Sequence, residues 1–280
     1  MNTNTRKVND RFPHATAWSA LFCLVSAITW CAPALAQGHP RHANPLAHST
    51  QAIVVTTAGW NAAEGTLQRY ERATERAKWR PVGETISIIV GRNGLGWGAG
   101  VAPSHDAAVR EPSDPVKTEG DGRAPAGIFA LGTAFGYAAQ PLPGLKLPYL
   151  QLTPSVECVD DIHSSHYNRI VDRSAVSPDW NSSEHMRDAG VSYQWGVVVD
   201  LNGTVPGGNN PRPGAGSCVF LHIRGTHEQG TAGCTAMAPA DLEALLLWLD
   251  PSRQPLLVQL TEPAYERLAD PWNLPKLPSH

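Results

Sequence analysis

The chain has 280 residues, of which 42% are hydrophobic and 17% charged, with a formal net charge of -3. That is enough apolar chain for one large domain or two small ones. It carries no basic surplus, so a nucleic-acid partner is not expected.

At the N-terminus Arg6, Lys7 and Arg11 precede residues 12–36, which hold no charged side chain. Within them AWSALFCLVSAITW forms an apolar stretch and ALA closes at Ala36. A basic start, a short apolar region and a small-residue end are the marks of a cleaved secretion signal. Thr16, Ser19, Ser26 and Thr29 interrupt the stretch too often for a membrane span of ~20 apolar residues. Residues 1–36 are therefore read as a signal peptide, with no stable membrane insertion after cleavage. Losing Arg6, Lys7, Arg11 and Asp10 takes the net charge from -3 to -5. Cys23 and Cys31 leave too, so Cys158, Cys218 and Cys234 remain. An odd count in an exported protein points to a free thiol or an intermolecular partner.

Residues 37–50, QGHPRHANPLAHST, are polar, proline-bearing and aperiodic, which predicts a linker. His39, His42 and His48 lack a neighbouring carboxylate or cysteine to complete a metal site. From residue 51 the pattern turns to strands. AIVVTTA is rich in β-branched residues, and ETISIIVG alternates Ile86, Ile88 and Val90 against Thr85, Ser87 and Ile89. Between them GTLQRYERATERAKWR suits a helix or a strand equally. GRNGLGWGAG has no helix signalled behind it to supply oriented amides to a phosphate, so it predicts a turn between strands. EGDGRAPAGIFALG reads as a tight loop feeding a strand.

WGVVVDLNG predicts a strand ending in an Asn202-Gly203 turn. CVFLHIRG predicts another strand, on which alternation puts His222 on one face with Cys218 and Phe220. A helix follows Pro239, with Leu242, Leu245, Leu246 and Leu249 at helical spacing, and Pro251 ends it. Many short strands and few helices point to a mainly β domain.

The chemistry concentrates in HIRGTHEQGTAGCTAM, residues 222–237. A thiol attacks a carbonyl carbon as thiolate, so a catalytic cysteine needs a base or a positive field nearby. An inward His222 and a loop of small residues returning to Cys234 allow such a pair, and the amides around Gly233 and Cys234 are candidate oxyanion donors. Two other roles stay open from the residues alone: Cys234 as one half of a disulfide, and Cys234 as a metal ligand with His222 or His227. A second group, Asp160, Asp161, His163 and His166, lacks the short-spaced paired ligands of a zinc site.

The stretch HIRGTHEQGTAGC, with APAGIFALG upstream, resembles the L,D-transpeptidase catalytic domain (YkuD) family of bacterial cell-wall enzymes, as a divergent branch, over roughly residues 53–260. Matched residue by residue, His222 stands for the base, Thr231 for the Ser/Thr, Gly233 for the glycine and Cys234 for the nucleophile. Pro125, Gly127 and Phe129 fit the upstream segment, with Ala124 where threonine is usual. Ala232 stands where most members have a second histidine, and Ala236 where an arginine helps to hold substrate.

The resemblance implies one L,D-transpeptidase-like β-sandwich domain with a few short helices, over residues 51–262, and a C-terminal tail over 263–280. It implies a periplasmic, secreted or cell-envelope cysteine acyl transferase that needs no cofactor or metal and acts on peptidoglycan stem peptides. Such an enzyme releases D-alanine and forms a thioester, which an amine resolves to a cross-link and water to a carboxypeptidase product. Arg224, His227, His166, Tyr167 and Thr231 are the candidate substrate-binding residues, the first two as replacements for the missing arginine and histidine. With Cys234 cast as nucleophile, Cys158 and Cys218 are expected to form a structural disulfide contributing about 3 to 4 kcal/mol. A cysteine hydrolase of another amide, and a non-catalytic wall-binding protein of the same fold, are the alternative functions.

Overall fold

Seven consecutive buried residues, Gln51–Thr57, form strand β1, as a strand covered on both faces requires. The computed structural model describes residues 44–101, 109–204 and 210–278. The signal peptide and the linker up to residue 43 lie outside the described residues. The ambiguous segment after β1 is a strand, β2 (Glu64–Glu71), and it leads antiparallel into β3 (Arg80–Ile89). β4 (Leu95–Trp97) and the long β5 (Ala124–Gly136) follow, then β6 (Tyr149–Gln151). β7 (Val156–Val159), β8 (Ile170–Asp172) and β9 (Ser183–His185) make a separate three-stranded sheet with β7 central. The main sheet resumes with β10 (Trp195–Val199), β11 (Phe220–Ile223), β12 (Thr235–Met237) and β13 (Leu256–Thr261).

Around the main sheet the order is β10, β11, β12, β3, β2, β1, β13, β5, and β5 pairs back onto β10. One strand makes this closure. Gly127 to Ala130 of β5 pair with β13, while Leu131 to Gly136 pair with β10 across a register shift between Val197 and Val199. A bulge of this kind bends and twists a strand locally. Among the described residues the domain is thus mainly β with two α-helices, and its main sheet is barrel-like.

Helix α1 (Pro239–Trp248) begins with proline in its first turn and buries Leu242, Leu245 and Leu246. The residues after 262, expected as a tail, instead form helix α2 (Glu262–Trp272). The Thr261 hydroxyl caps its start by accepting the Ala264 N–H, and Tyr265, Leu268 and Trp272 fall on one buried face. The linker end is also docked. Leu46 is fully buried, and the Arg72 guanidinium donates to the carbonyls of Leu46, Ala47 and Ser49. Polar composition concealed a segment whose carbonyls serve a buried arginine. No helix among the described residues is long and apolar enough to cross a membrane.

Cys158, on central strand β7, is disulfide-bonded to Cys218, two residues before β11. The bond ties the small sheet to the strand that carries His222. Glu184 of β9 pairs directly with Cys158, so the same tie carries Glu184 towards the centre of the molecule.

Replacing Trp272, which meets Trp97 edge-on at 6.4 Å, by alanine is expected to lower urea stability by about 3–5 kcal/mol. A loss below ~1 kcal/mol would show that α2 is dispensable. Reducing the disulfide, whose halves lie 60 residues apart, is expected to cost about 4 kcal/mol by loop entropy, read as a shift in the urea midpoint.

Candidate functional site

β11 and β12 are parallel neighbours in the register Leu221 with Thr235, His222 with Ala236 and Ile223 with Met237. That register sets Cys234, one residue before β12, beside Phe220, whose N–H meets Sγ at 3.3 Å. The connecting loop is pinned at Thr231. Its N–H donates to Val90 O at 2.9 Å and its carbonyl accepts the Arg92 N–H at 2.8 Å. Its hydroxyl donates to Cys234 O at 2.7 Å and accepts the Gly233 N–H at 3.1 Å. Gly233 packs close to the chain: a Cβ there would stand 3.1 Å from Arg123 O, a tight approach.

Beneath the thiol lies an aromatic floor. Gly196 of β10 sits opposite His222, and a Cβ on it would strike the Phe135 ring at 2.3 Å, so its absence lets that ring cross the strand. Phe135 meets Phe220 at 5.1 Å and Tyr193 at 5.4 Å, and Tyr193 meets His222 at 5.4 Å, all near edge-on. The Tyr193 hydroxyl donates to Glu184 Oε1 at 2.6 Å.

Above the floor opens a cleft of about 520 Å³ lined by Cys234, His222, Tyr193 and four carboxylates, Glu119, Asp160, Glu184 and Glu228. Lys117, also on its wall, is buried and ion-paired with Asp121 at 2.6 Å. Burial, and secondarily the Glu184 charge, push the Cys234 thiol up to about 12, against the opposing Phe220 N–H and Tyr193 hydroxyl. Burial also lowers the His222 imidazole, opposed by the Ile223 carbonyl and the Glu228 charge. His222 Nδ1 lies 2.8 Å from Ile223 O, and a carbonyl only accepts, so Nδ1 carries the proton and Nε2 the free lone pair. The resting pair is a neutral thiol and a neutral imidazole. No hydrogen bond joins them directly among the described residues.

His222, Thr231, Gly233 and Cys234 line one cleft, as their expected shared role requires. The Gly233 amide, expected to bind an oxyanion, is taken by Thr231 Oγ1, which leaves the Cys234 amide as the donor on this turn. The Thr231 hydroxyl shapes the turn and is spent there rather than on a substrate. Arg224 and His227 are not part of the wall: Arg224 Nε is drawn to Glu228 O at 3.0 Å, and His227 points to solvent. His166 packs edge-on against Trp180 at 5.4 Å. Tyr167 acts from behind the wall, donating to Glu119 Oε2 at 2.5 Å. Ala236 is fully buried beside His222, whereas Ala232 is exposed on the cleft rim. Asp161 is occupied with the His163 and Asn181 amides, and no three-ligand group occurs among the described residues.

Tyr193, Glu184, Glu119, Glu228 and Lys117 were not picked out by sequence. Tyr193 stands in VSYQWG and Glu184 in NSSEHM, where neither spacing nor motif marks them. No family model, no curated protein and no solved structure matches the chain.

Because the thiol is raised on folding, its contribution to stability is complete below the ordinary thiol range and is lost as pH climbs from ~9 towards 12. At pH 8 native Cys234 is expected to react with iodoacetamide at least ~100-fold more slowly than the same thiol in urea, with a rate still rising above pH 9. Equal native and unfolded rates would contradict a buried, neutral thiol.

Proposed function

We propose that the protein is a cysteine-dependent acyl transferase of the bacterial cell envelope, an L,D-transpeptidase of peptidoglycan stem peptides with L,D-carboxypeptidase activity when water is the acceptor. The observation that carries this reading is the shared cleft of Cys234 and His222, reached through the HIRGTHEQGTAGC turn. Cys234 Sγ attacks the carbonyl before the terminal D-alanine. The C–S bond forms, the C–N bond breaks, and D-alanine leaves with a proton. The Cys234 amide supports the oxyanion. His222 is the base of the cleft: Nε2 takes the thiol proton and gives it to the leaving amine, then takes the proton of the amine or water that resolves the thioester. A barrel-like sheet with the base on β11 and the nucleophile one residue before its parallel neighbour β12 is the scaffold proposed for the L,D-transpeptidase-like domain. The leader at residues 1–36 and the Cys158–Cys218 disulfide support an exported, oxidising setting.

One observation favours a second reading, a cysteine hydrolase of another amide. Among the described residues no arginine lines the cleft: Ala236 is buried, and Lys117 is committed to Asp121.

Incubation with tetrapeptide muropeptides is expected to release D-alanine, and Cys234→Ala to lower that release by at least ~10³-fold, as loss of an attacking group does. D-alanine release by Cys234→Ala at the parent rate would rule out the nucleophile. Hydrolysis of another amide without D-alanine release would favour the second reading.

A further inference from the structure

The turn that joins β2 to β3 carries charge that the cleft does not use. Arg72, Lys78, Arg80 and Arg253 line a second cavity, of about 450 Å³, together with Glu71, Ala73 and Ala77. Glu71 is spent on Arg253, at 3.0 Å. Arg72, Lys78 and Arg80 make no ion pair among the described residues, so the cavity is locally basic in a chain whose net charge is -3.

Arg72 sets this cavity apart from a scatter of surface cations. It is 3% exposed, and its Nε and Nη2 donate to Ser49 O at 2.7 Å, to Ala47 O at 3.1 Å and to Leu46 O. The Trp79 ring covers the guanidinium at 4.3 Å. All of these partners are neutral, and Nη1 donates to none among the described residues. Glu75, whose charge acts on Arg72 through space, is itself exposed and held by His48 at 3.3 Å. A guanidinium stays charged at any physiological pH, and a buried charge is ordinarily paired. An anion in the cavity would supply that pairing.

We propose that this cavity binds a phosphate monoester group, with Arg72 as the fixed donor at its back and the exposed Lys78 and Arg80 closing on it from the rim. A phosphate dianion answers three cations better than a carboxylate does, and guanidinium forks present paired N–H donors to its oxygens. The site is separate from the cleft. Arg80 opens β3 opposite Glu71, whereas Ile88 and Ile89 at the other end of β3 pair with Met237 and Ala236, just after Cys234. Eight residues of strand at ~3.3 Å each put those ends about 25 Å apart. A phosphate held here leaves the cleft open, and its binding does not depend on Cys234 being acylated.

The test is calorimetric titration with inorganic phosphate at pH 8, where the ion is a dianion. One saturable site is expected, weakened by sodium chloride and not reproduced by acetate. Lys78→Ala and Arg80→Ala are each expected to weaken binding about tenfold, and together about a hundredfold, as loss of charge-assisted hydrogen bonds does. Arg72→Lys keeps the charge but loses the fork, and is expected to bind at least ~10-fold more weakly. Should Arg72→Lys lose its folded circular-dichroism signal, the double variant of Lys78 and Arg80 carries the comparison. Cys234 in every folded variant is expected to react with iodoacetamide at the parent rate, which separates loss of this site from damage to the cleft. Glycerol 3-phosphate is expected to displace inorganic phosphate. Sedimentation of the protein with phosphatidic acid vesicles but not with phosphatidylcholine vesicles, lost in the double variant, would assign the ester to a lipid headgroup; no sedimentation would assign it to a soluble ester. The proposal is overturned by no saturable binding up to ~10 mM phosphate, by acetate binding as tightly, by failure of glycerol 3-phosphate to compete, or by a folded double variant within about twofold of the parent.

Discussion

The contact between the Phe220 amide and the Cys234 sulfur, 3.3 Å long, is the interaction on which the rest of the site depends. It exists because β11 and β12 run parallel in one register, and because the Thr231 turn delivers Cys234 just ahead of β12. Closing the sheet through β5 places Phe135 beneath both strands, and Gly196 leaves room for its ring. The sulfur therefore sits buried against aromatic rings. There its anion is disfavoured and the neutral thiol is the resting form.

Around that sulfur the charges are set against a free thiolate. Four carboxylates line the cleft, and its one lysine is neutralised by Asp121. A reactive cysteine of the usual kind is activated by a positive neighbour. This one is held as a neutral thiol, which slows oxidation and alkylation. The small sheet takes part in this arrangement. It contributes Glu184 and, through Cys158, fixes Cys218, whose backbone is left-handed with φ 54° and whose carbonyl lies 3.7 Å from Sγ. Asn168 supports that conformation by accepting the Cys218 N–H at 3.1 Å.

Much of the β architecture was legible because burial imposes periodicity. The uniform apolar run of β1, the alternation before β11 and the leucine spacing of α1 each mark their element. The closure was not legible, since pairing of one long strand with two partners is decided by bending at a bulge and leaves no local pattern. The docking of residues 44–50 and of α2 leaves no local pattern, because it depends on partners distant in sequence, Arg72 for one and Trp97 for the other. At the site, His222, Thr231, Gly233 and Cys234 were legible as a motif because they share one turn. Tyr193, Glu184 and Glu119 come from separate elements brought together only by the disulfide and the sheet. The same limit misplaced Arg224 and His227, which are near the nucleophile in sequence and outside its cleft.

An acyl transferase of this kind must carry a peptide acyl group on Cys234 during turnover. The most direct measurement is acid quenching during turnover of a tetrapeptide muropeptide, followed by peptide mapping of the protein by mass. The account predicts a tripeptide acyl group on the peptide that contains Cys234, sensitive to hydroxylamine as a thioester is. D-alanine release with no adduct on Cys234, or with the acyl group on another residue, would contradict it.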